Sequence, residues 1–287
     1  MISAAIVIAA MGQAAANGGI ALPVTYSANY DPTLSPDGKR MVFIKVLEGH
    51  EQLFEADIDG RNERQITRDP TDKEDPAYSP SGRQLAFVVI GPKNKLHVMH
   101  IDGTFDEVLT PSSQSPIHPE WEPNGRFILY CTDDDLHPPQ KNNAEIFRID
   151  VESRKVATVI AGGVNTYPVP SPDGTKIAFR KMIGTNSEVF VANSDGSNAA
   201  NVTNNPAFEG WPAWSPDGRR IAFAANRNGV YQIFVMGADG SDVRLVANTE
   251  GRATAPKWSI DGKSIYFSNC WRTGSSGACE IFVAPAP

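Results

Sequence analysis

Short apolar runs of the β kind recur along this sequence, each set off by a turn rich in Pro and Gly, and they return at a near-constant interval. The turn appears six times: SPDG ending at Gly38, SPSG at Gly82, EPNG at Gly125, SPDG at Gly174, SPDG at Gly218 and SIDG at Gly262. The spacings are 44, 43, 49, 44 and 44 residues. Ahead of most turns stands a proline with an aromatic two residues on, as in Pro212 and Trp214 or Pro256 and Trp258, and after the turn comes an apolar run such as Ile221-Ala222-Phe223. Proline presets φ at the second turn position, Asp or Asn suits the third, and Gly supplies the positive φ that leads into the next strand. The turn therefore joins two antiparallel strands, A and B. A third strand, C, follows a variable loop and reads QLFEA, KLHVM, EIFRI, EVFVA, QIFVM and EIFVA in the six repeats. Asp-Gly hairpin turns at Asp59, Asp102, Asp195 and Asp239 then lead to a short strand D such as RQIT, EVLT or ANVT. The third repeat departs from this, with DVESRK in place of the Asp-Gly turn.

A period of about 40 to 50 residues with strand content in every copy is the signature of propeller blades. The expected fold is all-β: a single six-bladed propeller of four-stranded antiparallel blades over residues 22–287. The sixth repeat stops at Pro287 without a strand D, whereas the N-terminal stretch contains LPVT, whose Val24-Thr25 matches Ile66-Thr67, Leu109-Thr110 and Val202-Thr203. The N-terminal strand is therefore expected to become the outer strand of the last blade and close the ring, which removes the free edge of an open array.

The SPDG-x-x-I-A-F core with a downstream E-I-F-V strand resembles the PD40 repeat of TolB-like propellers, over about Leu22 to Ala284. The same repeat builds the propellers of prolyl oligopeptidase-type enzymes and of some polysaccharide lyases, so the resemblance implies the fold far more than an activity. It extends to the propeller domain only: the N-terminal α/β domain of TolB has no counterpart here. Neither has the G-x-S-x-G elbow of the prolyl peptidases, since GSSGA at Gly274 lacks the second spacing.

Composition and charge narrow the partners. A net charge of −7 and the lack of a Lys/Arg stripe exclude nucleic acid as an expected ligand. Residues 1–16, MISAAIVIAAMGQAAA, carry an apolar run from Ile2 to Met11 and an A-x-A-like end, which reads as a signal peptide although no Lys or Arg precedes the run. The run is too short to span a bilayer, which takes about 20 residues. Cys270 and Cys279 flank the Gly/Ser-rich segment WRTGSSGA; a disulfide between them would agree with export to the periplasm or beyond, and two separate thiols are the alternative. A periplasmic or secreted monomer that does not span the membrane is expected.

Antiparallel order sends the A-B and C-D turns to one face of the disc and the variable B-C and D-A loops to the other. Turn geometry explains the Asp residues of the first face, so function is expected on the second. There the residue before the strand A proline is expected to face the central channel: Asp31, Asp75, His118, Tyr167, Trp211 and Ala255, with Tyr30, Glu74, Ile117, Thr166, Gly210 and Thr254 one position earlier. His118, Asp75, Asp31 and Glu74 are the catalytic candidates, and His118, Asp31 and Asp75 the candidate ligands of a divalent metal, calcium or manganese. Tyr30, Tyr167 and Trp211 are candidates for stacking on a sugar or peptide, and Trp271 with Arg272 for a contact surface. Solvated channel groups, and a Trp271 packed on its own hairpin, are the plainer alternatives. Asp133, Asp134, Asp135 and His137 in the long loop of the third blade read as a solvated acidic loop. Two functions follow: a binding scaffold for an envelope protein, peptide or glycan, and, as the alternative, a metal-assisted polysaccharide lyase or hydrolase with its site at the channel mouth.

Overall fold

The computed structural model describes residues 22–23, 29–132, 143–271 and 278–287. The leader, Val24, Thr25, the acidic loop at Asp133 to His137, and Arg272 lie outside these residues. Among the described residues the strands form six antiparallel sheets of four strands each. Blade one runs outward as Asn29–Leu34, Arg40–Leu47, His50–Asp57 and Arg64–Gln65. The inner strands of the other blades are Lys73–Tyr78, Pro116–Trp121, Asn165–Pro170, Glu209–Trp214 and Arg252–Trp258. The sixth sheet borrows its outer strand from the N-terminus: Leu22 pairs with Val283 and Pro23 with Phe282. In blade one, Arg64 pairs with Glu55 and Gln65 with Phe54. Leu22 and Pro23 thus occupy the positions of Arg64 and Gln65, the register that aligning LPVT with RQIT requires.

Each blade carries one buried aromatic ring on its second strand: Phe43, Phe87, Tyr130, Phe179, Phe223 and Phe267, all 0% exposed. Every one faces a ring directly opposite on the third strand, Phe54, His97, Phe147, Phe190, Phe234 and Phe282 in turn. The centroid separations are 5.3 to 6.4 Å, which is the range of favourable offset pairs. His97 therefore substitutes for a phenylalanine in the blade core. The apolar clusters lie between blades; that of Met41, Phe43, Phe54, Ala56 and Ile281 seals the seam where the last blade meets the first.

The repeated turns are built as their composition demands. Gly38, Gly82, Gly125, Gly174, Gly218 and Gly262 all have φ between 67° and 70°. In the first, the Ser35 hydroxyl and the Lys39 N–H both donate to Asp37, whose carboxyl these bonds hold below its ordinary pKa. The turn Asp residues are thus consumed by their own loops.

Candidate functional site

All six residues before the inner-strand proline adopt a left-handed backbone: Asp31, Asp75, His118, Tyr167, Trp211 and Ala255 have φ of 51° to 55°. Five are non-glycine, non-alanine side chains in a conformation that L-residues avoid. The cause is a β-bulge repeated in each blade, visible as a register shift between Tyr30 and Thr33, Glu74 and Ala77, and their counterparts. The bulge inserts a residue and turns its side chain out of the ladder, here onto the axis of the ring. The freed N–H groups are passed from blade to blade. Asp31 N–H donates to Ser268 Oγ at 2.8 Å, Asp75 N–H to the Asp31 carboxylate, and His118 N–H to Asp75 Oδ2 at 2.8 Å. Asp31 and Asp75 are therefore first of all acceptors that hold neighbouring bulges in place.

Together these residues line a funnel of about 260 Å³ at the loop face, which narrows into a cavity of about 60 Å³ along the axis. Tyr30, Glu74 and Thr254 also line the funnel. Ile117 instead belongs to the core between blades three and four, and Thr166 is fully buried. The wall divides by chemistry. On the side of blades one and two, Tyr30 donates to Glu51, and Glu74 bonds to Glu51 beside Asp31 and Asp75. Burial and mutual repulsion push these carboxyls up: Asp31 to about 7, Asp75 to about 6 and Glu74 to about 8. On the side of blades three to five, His118 stacks on Tyr167 at 3.7 Å between centroids, Tyr167 contacts Trp211 at 5.0 Å, and Trp211 meets the edge of Tyr231 at 5.5 Å. Below, Lys257 reaches across the channel to Glu120, joining blades six and three.

The raised carboxyl of Glu74 has a consequence for stability. Folded Glu74 keeps its proton to about pH 8, while its ordinary value is 4.5. Between those values the folded state binds more protons than the unfolded one, so stability falls as pH rises through that window. Glu74→Gln is expected to match the wild type at pH 4 and to exceed it by about 1 to 2 kcal/mol at pH 9 in urea unfolding. An equal difference at both pH values would show that Glu74 acts by packing.

Sequence reasoning missed Glu51, Glu120, Lys257, Tyr231, Arg180 and Arg252. A signal existed for two of them. The residues after the bulge proline are Thr33, Ala77, Glu120, Val169, Ala213 and Lys257; the two charges are opposite in sign and three blades apart, hence diametrically opposed. Trp271 does not enter the funnel: its ring packs on Phe282 of its own hairpin at 5.5 Å. Cys270 and Cys279 sit directly opposite each other in the last hairpin and are joined as a disulfide, and Cys131 is a buried cysteine outside that bond, behind His118. Among the described residues no three of His, Cys, Asp and Glu are grouped to hold a metal ion, and no helix is long and apolar enough to cross a membrane.

Comparison with known proteins agrees with this architecture. A "Protein TolB homolog" of Chlorobium luteolum is 28% identical over 158 residues, which cover 54% of this chain and 34% of that one. The chain spans about a third to a half of the length of the curated relatives it matches. Among solved structures, a putative TolB from Agrobacterium tumefaciens superposes with a TM-score of 0.68 at 21% identity, covering 92% of each chain. An oligogalacturonate lyase in complex with manganese gives 0.63 at 14% identity, covering 96% of this chain and 95% of that one. Both likenesses are of fold. The family described as PD40, TolB β-propeller domain, matches residues 89–279, more than half of the sequence, and the chain belongs to that family.

Proposed function

We propose that this protein is an exported binding scaffold of the periplasm or extracellular space that grips a protein, peptide or glycan with its loop face. The observation that carries this reading is the axial funnel, with carboxyls on one wall and stacked aromatic rings on the other, on a fold whose opposite face is spent on turn geometry. Concave sites with a few convergent polar groups are where proteins hold ligands. Exposed apolar side chains at the rim, Ile183, Phe208 and Val230, add a contact surface around it. Photo-cross-linking residues at positions 183 and 208, and for comparison at Phe105 and Ile260 on the turn face, are expected to trap envelope components from the loop face only. Cross-links of equal yield from both faces, or from the turn face alone, would overturn the assignment.

The alternative, a metal-assisted polysaccharide lyase or hydrolase, has in its favour the fold shared with the manganese-bound oligogalacturonate lyase. Against it stand the donors themselves. The Asp31 carboxylate accepts from the Asp75 N–H, Asp75 Oδ2 accepts from the His118 N–H, and His118 faces Cys131 Sγ with Nδ1 at 3.4 Å while its ring stacks on Tyr167. Three donors already held by the protein make a poor ligand set. The melting temperature is therefore expected to stay unchanged on adding manganese, calcium or EDTA. A rise of several degrees with manganese that disappears in His118→Ala would support the lyase instead.

A further inference from the structure

The acidic wall of the funnel has a cation among its carboxyls, since Lys257 faces Glu120, Asp31 and Asp75. The aromatic wall is the reverse: the charged side chains set against its Tyr167, Trp211 and Tyr231 rings are cations. The Arg180 guanidinium lies 5.1 Å from the Tyr167 ring centre, and that of Arg252 lies 5.4 Å from Trp211 and 4.8 Å from Tyr231. Because Tyr167 and Trp211 are in contact, the two guanidiniums flank one aromatic pair. Among the described residues neither has a carboxylate within ion-pair distance, and the buried Nε of Arg180 has no hydrogen-bond partner. Both come from the loop-face ends of their strands: Arg180 is opposite Thr166, and Arg252 opposite Cys270, which itself lines the funnel.

The neighbouring backbone is shaped around Arg180. A Cβ added to Gly210 would lie 2.8 Å from Arg180 Cδ and 3.4 Å from its Cγ. Arg180 thus rests its stem on the one bulge-preceding glycine of the ring, which fixes the head over Tyr167. A stacked, positioned guanidinium with free donors matches a carboxylate in a two-pronged geometry that an ammonium does not reproduce. The wall opposite has Lys257 as its cation, already paired with Glu120, so a carboxylate entering the funnel finds its partners on the side of blades four to six. The rim there is apolar: Ile183 is 48%, Phe208 38% and Val230 45% exposed, Ile183 at the end of a strand of blade four and the other two in loops of the loop face. A glycan would set hydroxyls against these side chains, whereas a polypeptide can place apolar residues on either side of an acidic one.

We infer that the wall of blades four to six is a subsite for an acidic side chain of a partner polypeptide, in which Arg180 and Arg252 chelate an aspartate or glutamate carboxylate over the Tyr167–Trp211 pair. This deepens the binding-scaffold reading and rests on it. The test follows the indole N–H resonance of Trp211 in the whole protein during titration with three probes: acetyl-Ile-Glu-Phe-amide, its Gln counterpart, and digalacturonate. The Glu peptide is expected to move the resonance saturably and to bind about tenfold more tightly than the Gln peptide, a difference of about 1.4 kcal/mol. That preference should disappear in Arg180→Gln and in Arg252→Gln. It should also weaken in Gly210→Ala, which displaces the Arg180 stem while leaving the charge. Unchanged melting temperatures of the arginine variants establish that they fold. Equal binding of the Glu and Gln peptides overturns the subsite, and so does the absence of any shift. Tighter binding of digalacturonate assigns the anion to a glycan and overturns the polypeptide. In each case rim-specific cross-links from positions 183 and 208 would leave the scaffold reading standing.

Discussion

Lys257→Met is expected to destabilise the protein by about 2 to 3 kcal/mol at pH 8 and by far less at pH 5. Lys257 pairs with Glu120 across the channel and faces Asp31 and Asp75. At pH 8 the variant leaves these three carboxyls facing one another without a cation. Breaking a fully buried pair costs about 3 to 5 kcal/mol, and the figure here is lower because about a quarter of each side chain is exposed. Acid removes the problem by protonation: the values of about 7 for Asp31 and about 6 for Asp75 already lie above the ordinary carboxyl range, and losing Lys257 raises them further. At pH 5 both aspartates then hold protons, and most of the repulsion among the three groups is gone. Urea unfolding at the two pH values measures the difference, and the double variant Lys257→Met, Glu120→Gln should recover most of the loss at pH 8. If the loss is the same at pH 5 and pH 8, Lys257 stabilises by packing and the charge argument fails.

The same residue marks where sequence reading ran out. The repeat made the fold legible because each turn demands Pro, Asp or Asn, and Gly at fixed positions, and the alignment of LPVT with RQIT anticipated the closure that Leu22 and Pro23 make on Val283 and Phe282. The channel ring of Asp31, Asp75, His118, Tyr167, Trp211 and Ala255 was equally legible, being one column of that alignment. Two residues further along each strand, simple alternation continues to hold only if the strand is regular. The bulge with positive φ at the residue before the proline changes the local direction of the chain, and Glu120 and Lys257 meet on the axis as a result. Arg180 and Arg252 were less accessible still. They come from different columns, on the second strand of blade four and the first of blade six, and Arg180 reaches the aromatic pair that Arg252 also flanks because Gly210 lets its stem cross the backbone. For Trp271 the sequence left a contact surface and packing on its own hairpin both open, and its ring lies against Phe282.

Gly196→Ala should cost about 3 kcal/mol or more, whereas Gly229→Ala, at nearly the same φ, should cost about 1 to 2 kcal/mol. The two glycines have φ of 84° and 86°, so the penalty for an L-residue in the left-handed region is common to both. Their surroundings differ. Gly229 has nothing within 4 Å of an added Cβ, while at Gly196 that atom would lie 2.0 Å from the Val159 carbonyl oxygen and 2.9 Å from its carbon. The obstacle is the backbone of the preceding blade's outer strand, Val156–Ile160, so relief requires the two blades to move apart rather than one side chain to turn. Gly240 repeats the contact one blade on, with an added Cβ 2.2 Å from the Val202 oxygen, and Gly240→Ala should behave like Gly196→Ala. The Asp-Gly hairpins therefore do more than reverse the chain: their glycines let neighbouring blades approach backbone to backbone at the outer edge of the ring, while the bulge N–H groups tie the blades together at the axis. Thermal or urea unfolding of the three variants decides the matter. Equal losses at positions 196, 229 and 240 would mean that backbone conformation alone accounts for these glycines and that the outer contact between blades is slack enough to absorb a methyl group.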